Sequence, residues 1–267
     1  MISICAVICA RNEAPYLKVL LPRLASQGIE VALIDNGSTD GSLDLYREYS
    51  NAPIVILEHM PYPGYYSQTQ QLQAKQRVYQ RLKHDWVMHH DADEVFENPD
   101  PGLSLRDAIL EADAGGYGVL NLDEFVFLPE PGQEFSGKDY YSGILRYYFF
   151  EPAPNRLNRV WRRDLFPENL MSGGHTLTGS DLSIFPINQV MRHYIVLGYE
   201  HALSKYLGRK FAPEDLAKGW HGNRLKFTEE NLRLPESSPF LFTMEDPASR
   251  PFHTERPTKK HFWEWTE

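Results

Sequence analysis

The sequence predicts an α/β fold: a mainly parallel, mixed sheet flanked by helices. Short β-branched apolar runs alternate with helix-period segments through the first hundred residues, and turn-forming clusters separate them. The polar clusters of this stretch also fall where predicted strands end, which is where open α/β sheets bind ligands.

The opening run over 2–9 is apolar and rich in β-branched residues, as suits a strand buried on both faces. Asn12 can cap the helix predicted over 14–26, whose Leu17, Leu20, Leu21 and Leu24 recur at helical spacing. A strand over 31–34 is broken by the turn residues of 35–41. Helix over 42–49, strand over 54–57, helix over 67–82 and strand over 85–89 follow. Past Pro99 the pattern loosens. A helix is predicted over 103–110, strands over 117–128, 144–150 and 159–161, and a helix over 198–210, before a proline-rich tail wrapped over the body. The whole of 1–267 reads as one domain with three stretches, 1–100, 101–197, and a last helix and tail over 198–267.

Composition limits the function. At 267 residues the chain can bury a substantial core, and 42% hydrophobic with 13% aromatic residues is a globular composition. A net charge of -9 argues against nonspecific nucleic-acid binding. No run approaches the roughly 18 apolar residues of a membrane span, so any membrane association would be peripheral. The opening lacks the basic start of a signal peptide. Cys5 and Cys9 lie in one extended segment, where a mutual disulfide would need a sharp bend; reduced thiols and a cytoplasmic location are expected.

Asp91-Ala92-Asp93-Glu94, directly after the apolar Trp86-Val87-Met88, carries the most chemistry. Paired carboxylates at a strand end can share a hard cation, Mg²⁺ or Mn²⁺, whose remaining positions suit phosphate oxygens. The first strand-helix turn has no GxGxxG or P-loop glycines, which sets aside a dehydrogenase or kinase. His89-His90-Asp91 is a poor zinc chelate because adjacent strand residues point apart.

Ile8-Cys9-Ala10-Arg11-Asn12-Glu13, then Asp35-Asn36-Gly37-Ser38-Thr39-Asp40-Gly41-Ser42, then Asp91-Ala92-Asp93-Glu94 together resemble, in order and spacing, a family 2-type glycosyltransferase of the GT-A fold. The likeness is to bacterial polysaccharide and lipopolysaccharide enzymes. It implies a nucleotide-sugar donor, UDP-linked, and transfer with inversion to a saccharide or lipid-linked acceptor, at or near the inner face of the membrane. It also implies that Asp35, with Asn36 and Ser38, contacts the nucleotide and that Arg11, Asn12 and Glu13 line its nucleoside pocket. Asp91 and Asp93 would hold Mn²⁺ or Mg²⁺, with Asp91 also touching the nucleotide and Glu94 the acceptor. Arg192-His193-Tyr194 and Lys205 resemble the segment in which a strand-end His completes the metal shell and a helical Lys binds the diphosphate.

The chain departs from the pattern at Gly173-Gly174-His175-Thr176, where relatives carry His-Glu. That opens the identity of the base that takes the acceptor proton; Asp123, Glu124 and Asp181 are the carboxylate candidates, with His175 as an outsider and Glu124 favoured. A nucleotidyltransferase and a noncatalytic carbohydrate-binding protein of the same fold are the alternative functions.

Overall fold

A computed structural model describes residues 2–48, 54–152 and 155–265. Its elements in chain order are β1 Ile4–Ala10, α1 Ala14–Ser26, β2 Glu30–Asp35, α2 Ser42–Glu48, β3 Ile54–His59, α3 Gln68–Arg81, β4 Trp86–His90 and β5 Glu94–Glu97. Then follow α4 Leu105–Ala114, β6 Val119–Leu128, α5 Tyr140–Gly143, β7 Arg146–Phe150, β8 Asn158–Arg162, β9 Gln189–His193, α6 Tyr199–Tyr206, α7 Pro213–Ala217 and β10 Phe242–Thr243. Short 3₁₀ turns at Arg163–Leu165, Gly222–Lys226 and Phe262–Glu264 punctuate the second half.

One sheet runs β10-β7-β6-β8-β4-β1-β2-β3, with β9 added parallel to β6 and β5 antiparallel to β9. The strands β4, β1, β2 and β3 are mutually parallel, and β8 joins β4 antiparallel. β1 is buried along its whole length. Its Ile4, Ala6 and Ile8 enter the core cluster that contains Leu17, Leu20, Leu21 and Leu24 of α1, whereas Cys5, Val7 and Cys9 enter the cluster of Ala74 and Val78 of α3. Period-two alternation thus gives each face its own helix layer. Both cysteines are free and buried, and burial pushes each thiol up to about 12.

The predicted elements of the first hundred residues are present with small shifts. The helix expected over 42–49 ends at Glu48, and Tyr49 lies outside the described residues. Asn12 does not cap α1. Glu13 is the N-cap residue, without a side-chain bond, while Asn12 holds φ 55 in the left-handed region and its Oδ1 accepts from Thr39 N at 2.7 Å. The helix expected over 103–110 starts at Leu105 because Ser104 and Asp107 form a capping box there, and it runs on to Ala114. The helix expected over 198–210 stops at Tyr206; Gly208 at φ +69 turns the chain away. β5 was not predicted, and β9 only as the strand end at His193 that the family likeness implies. Among the described residues no helix is long and apolar enough to cross a membrane.

Candidate active site

The carboxyl ends of β1 and β4 open onto a cavity of about 490 Å³. Arg11, Glu13, Asp91, Asp93, Glu94, His175, His193 and Lys205, all singled out in the sequence, line it. Register brings them together. Asp91-Ala92-Asp93 is the turn from β4 into β5, and the β5–β9 pairing sets Glu94 opposite His193. His193 therefore arrives beside the acidic turn although a hundred residues separate them. Tyr194 N donating to Asp93 O at 2.8 Å closes the corner.

The two aspartates have different surroundings. Asp91 Oδ1 accepts from Lys75 Nζ at 2.7 Å, and Arg159 Nη1 lies 3.6 Å from its Oδ2. Burial opposes ionisation of Asp91, but Lys75 and Arg159 outweigh it and hold the carboxyl well below its ordinary range. Lys75 is almost wholly buried, and it also donates to His90 O at 2.8 Å and meets His89 Nε2 at 3.1 Å. Asp93 Oδ2 accepts from Lys205 Nζ at 2.8 Å, with His193 Nε2 at 3.6 Å. Burial again works against the charge, and Lys205 and His193 overcome it.

Behind His193 stands Glu124. Its Oε1 is 2.7 Å from His193 Nδ1 and its Oε2 accepts from Arg156 Nη1 at 2.8 Å. Burial would neutralise the His193 ring, yet its bonds to Asp93 and Glu124 hold its pKa well above the usual value. Both Glu94 oxygens are engaged inside the protein: Oε1 accepts from Arg159 Nη2 at 3.2 Å and Oε2 accepts from Asp91 N at 3.1 Å. Burial pushes its carboxyl up to about 7 in spite of Arg159. Glu13, 4.0 Å from Lys205, is likewise raised to about 7 by burial.

Several expectations need correction. Asp35 is fully buried, and its carboxylate accepts from Gly37 N at 3.1 Å and Ser38 N at 3.3 Å and faces His59 Nδ1 at 3.2 Å. It organises its own turn. Asn36 and Ser38 serve the same turn: Asn36 Nδ2 donates to Met60 O at 3.1 Å, and Ser38 Oγ accepts from Asn12 N at 3.0 Å. Neither they nor Asn12 line the cavity; Arg11 does, bonded to Asn36 O at 3.2 Å and lying over the Tyr62 ring at 3.6 Å. Glu124 does not line the cavity, because His193 stands in front of it. Asp181 is exposed on a loop away from it. His175 does line it, but burial and then Arg159 and Arg156 push its ring down to about 3, leaving a weak base. Among the described residues no three His, Cys, Asp or Glu side chains form a ready metal cage, so Asp91, Asp93 and His193 are not a preformed triad.

The sequence reading missed Lys75, Arg156 and Arg159 as site residues. Lys75 left a trace, since it falls in the buried row of α3 with Leu72 and Tyr79. The far lip of the cavity is the irregular segment after α6, with Arg209, Trp220, His221 and Arg224. It is fastened to the body by Asp215, whose carboxylate accepts Gln68 N at 2.6 Å and Thr69 N at 3.2 Å at the start of α3.

The mixed α/β sheet, with its cavity at the carboxyl ends of the parallel strands, has the GT-A architecture. Residues 5–120 match the family model of Glycosyl transferase family 2, a stretch that contains Arg11, Asp35 and the acidic turn. Among solved structures, Staphylococcus aureus TarS 1-349 in complex with UDP-GlcNAc is similar with 14% identity and a TM-score of 0.48, covering 86% of this chain and 78% of that one. The longer TarS chain is matched over 45% of its length, at 15% identity and a TM-score of 0.44, covering 86% of this chain. Mycobacterium tuberculosis glucosyl-3-phosphoglycerate synthase with Mn²⁺, UDP and glucosyl-3-phosphoglycerate is similar over 46% of this chain and 44% of that one, with 17% identity and a TM-score of 0.32. No curated protein sequence matches significantly.

Proposed function

We propose that the protein moves a sugar from a UDP-linked donor to a hydroxyl of a saccharide or lipid-linked acceptor, in surface polysaccharide or lipopolysaccharide assembly, with a divalent cation and inversion at the anomeric carbon. The observation that carries this reading is the meeting of Asp93, His193 and Lys205 in the cavity that Arg11 and Glu13 also line.

The donor set fits a cation with two protein ligands. Asp93 offers carboxylate oxygens and His193 offers Nε2, while Glu124 on Nδ1 orients the ring as carboxylates do behind metal-bound histidines. Oxygen with one imidazole suits Mn²⁺ or Mg²⁺, which leave places for diphosphate oxygens and water. Asp91 stays outside that set, because Lys75 and Arg159 hold it. When bound, the ion would neutralise charge developing on the departing nucleoside diphosphate. Lys205 would exchange Asp93 for the diphosphate as a point charge. Arg11 marks the nucleoside end. Asp91, pinned on two sides, presents an oriented carboxylate to the donor sugar. Glu94 and Glu13 are the two wall carboxylates raised to about 7, and Glu94, in the acidic turn beside Asp91, is the one we assign to take the acceptor proton.

A thermal-shift screen of nucleoside diphosphates with and without Mn²⁺ tests the reading, since a ligand of the folded state raises apparent stability by mass action. UDP with Mn²⁺ is expected to stabilise the protein and Asp93→Asn to abolish the metal dependence. No shift with any nucleoside diphosphate, or a product of retained anomeric configuration, would sink it.

A further inference from the structure

One wall of the cavity includes a residue from the C-terminal tail. The tail docks along β7 through Thr258 N donating to Phe149 O at 3.0 Å and Glu151 N donating to Thr258 O at 2.6 Å. Phe262 and Trp263 are buried against the body, and Trp263 packs on Tyr206 with centroids 5.5 Å apart. Between these anchors His261 lies flat on Phe150, with centroids 4.1 Å apart and planes 7° from parallel, and it lines the cavity.

Its ring is fixed chemically as well as sterically. Tyr148 Oη is 2.8 Å from His261 Nδ1. Burial pushes the Tyr148 phenol well above its ordinary value, so it keeps its proton. With the phenol protonated, Nδ1 is placed to accept the phenol proton at 2.8 Å. A neutral imidazole whose Nδ1 accepts carries its proton on Nε2. No hydrogen bond to Nε2 is found among the described residues, and that nitrogen is not among the sealed, unpartnered atoms. It is a fixed N–H donor open to the cavity.

Sheet order says what it faces. From β1, which carries Arg11, to β7, which carries Phe150, the path is β1-β4-β8-β6-β7. Those steps, at roughly 4.8 Å each, span about 19 Å. With the nucleoside at Arg11 and the diphosphate at Lys205, the far end is left for the acceptor.

We propose that His261 binds the acceptor saccharide, its Nε2–H donating to a sugar oxygen, with the tautomer set by Tyr148. The proposal rests on the sugar-transfer reading. With a proton on the nitrogen in the cavity, His261 acts there as a hydrogen-bond donor and not as a base.

Imidazole ¹⁵N NMR of the protein loaded with UDP and Mg²⁺ tests it, the His261 signals being those lost in His261→Gln. Protonated Nε2 and unprotonated Nδ1 are expected, with the preference lost in Tyr148→Phe. Titration with p-nitrophenyl glycosides should shift the Nε2 signal for at least one sugar. His261→Phe should raise the KM for that glycoside about tenfold, the equivalent of one hydrogen bond, with UDP affinity within about twofold and partial rescue in His261→Gln. A proton on Nδ1, no glycoside-induced shift in protein that binds UDP, or a KM unchanged in His261→Phe would overturn the proposal. A loss of UDP affinity in His261→Phe would place the residue on the donor instead. Failure of the wild type to bind UDP would strike the sugar-transfer reading itself, and this proposal with it.

Discussion

His193 uses its two ring nitrogens on two carboxylates: Nδ1 is 2.7 Å from Glu124 Oε1, and Nε2 is 3.6 Å from Asp93 Oδ2. The relation makes Glu124 a support for the histidine, shielded from the acceptor, and it aims the second nitrogen at the acidic turn. Arg156 on the other Glu124 oxygen completes the support.

Glu124→Gln should therefore weaken cation binding more than it weakens nucleotide binding. Removing the carboxylate behind a metal-bound histidine typically costs about 10–100-fold in metal affinity. Calorimetric titration of Mn²⁺ into the UDP complex should show that loss, while UDP affinity without metal stays near the wild-type value. An unchanged Mn²⁺ affinity would mean that His193 is no ligand.

Glu13 supports an expectation about pH. Its carboxyl is raised by burial from 4.5 to about 7, so the folded protein holds this proton more tightly than the unfolded chain does. The sign follows: the group penalises folding increasingly as pH rises from about 4.5 to about 7, and by a constant amount above that. Glu13→Gln should thus match the wild type near pH 4 and exceed it at pH 8, by about 1–3 kcal/mol once the pull of Lys205 is allowed for. Urea midpoints at the two pH values measure it. A destabilised variant at pH 8 would show that the Lys205 contact dominates.

The first half of the fold was legible because each element there carries its own pattern. Leu17, Leu20, Leu21 and Leu24 announce α1, and the fully buried β1 announces the parallel sheet. The acidic turn was legible as chemistry because the polar clusters after β1 and β2 fall at the same strand-end edge of the sheet. What escaped notice depends on distant pairing. β5 and β9 are four or five residues each, too short for periodicity, and only their mutual register delivers His193 to Asp93. Asp35 and Glu124 were read as open to ligands, since a sequence does not show that Gly37 N, Ser38 N or His193 already occupies a carboxylate. His261 sits in an irregular tail whose path no local pattern records.

Lys75 joins the fold to the site. Breaking a buried ion pair costs about 3–5 kcal/mol, but Asp91 is 40% exposed and can recruit water, so Lys75→Met should cost less, about 1–3 kcal/mol. The larger effect should be on turnover, because Asp91 loses the bond that orients it. kcat should fall at least about tenfold with little change in UDP affinity, and Lys75→Arg should not restore it, since a guanidinium does not fit a pocket shaped around a single ammonium. Wild-type kcat in Lys75→Met would show that Asp91 needs no such anchor.

Asp35 separates two accounts of the nucleoside end. Were it a direct ligand of the base, Asp35→Asn would alter nucleobase preference and leave stability nearly intact. The structure predicts otherwise from its burial: the carboxylate satisfies the N–H groups of Gly37 and Ser38, and an amide offers one acceptor oxygen in place of two. A buried donor left short costs about 1–3 kcal/mol. The same turn supplies the carbonyl of Asn36 that holds Arg11, so a relaxed turn also misplaces the guanidinium on the cavity wall. Asp35→Asn should accordingly lower the urea midpoint and raise the donor KM together, with the order of preference among nucleoside diphosphates unchanged. A switch in that order at wild-type stability would restore Asp35 as a nucleotide contact and require the turn to open on binding.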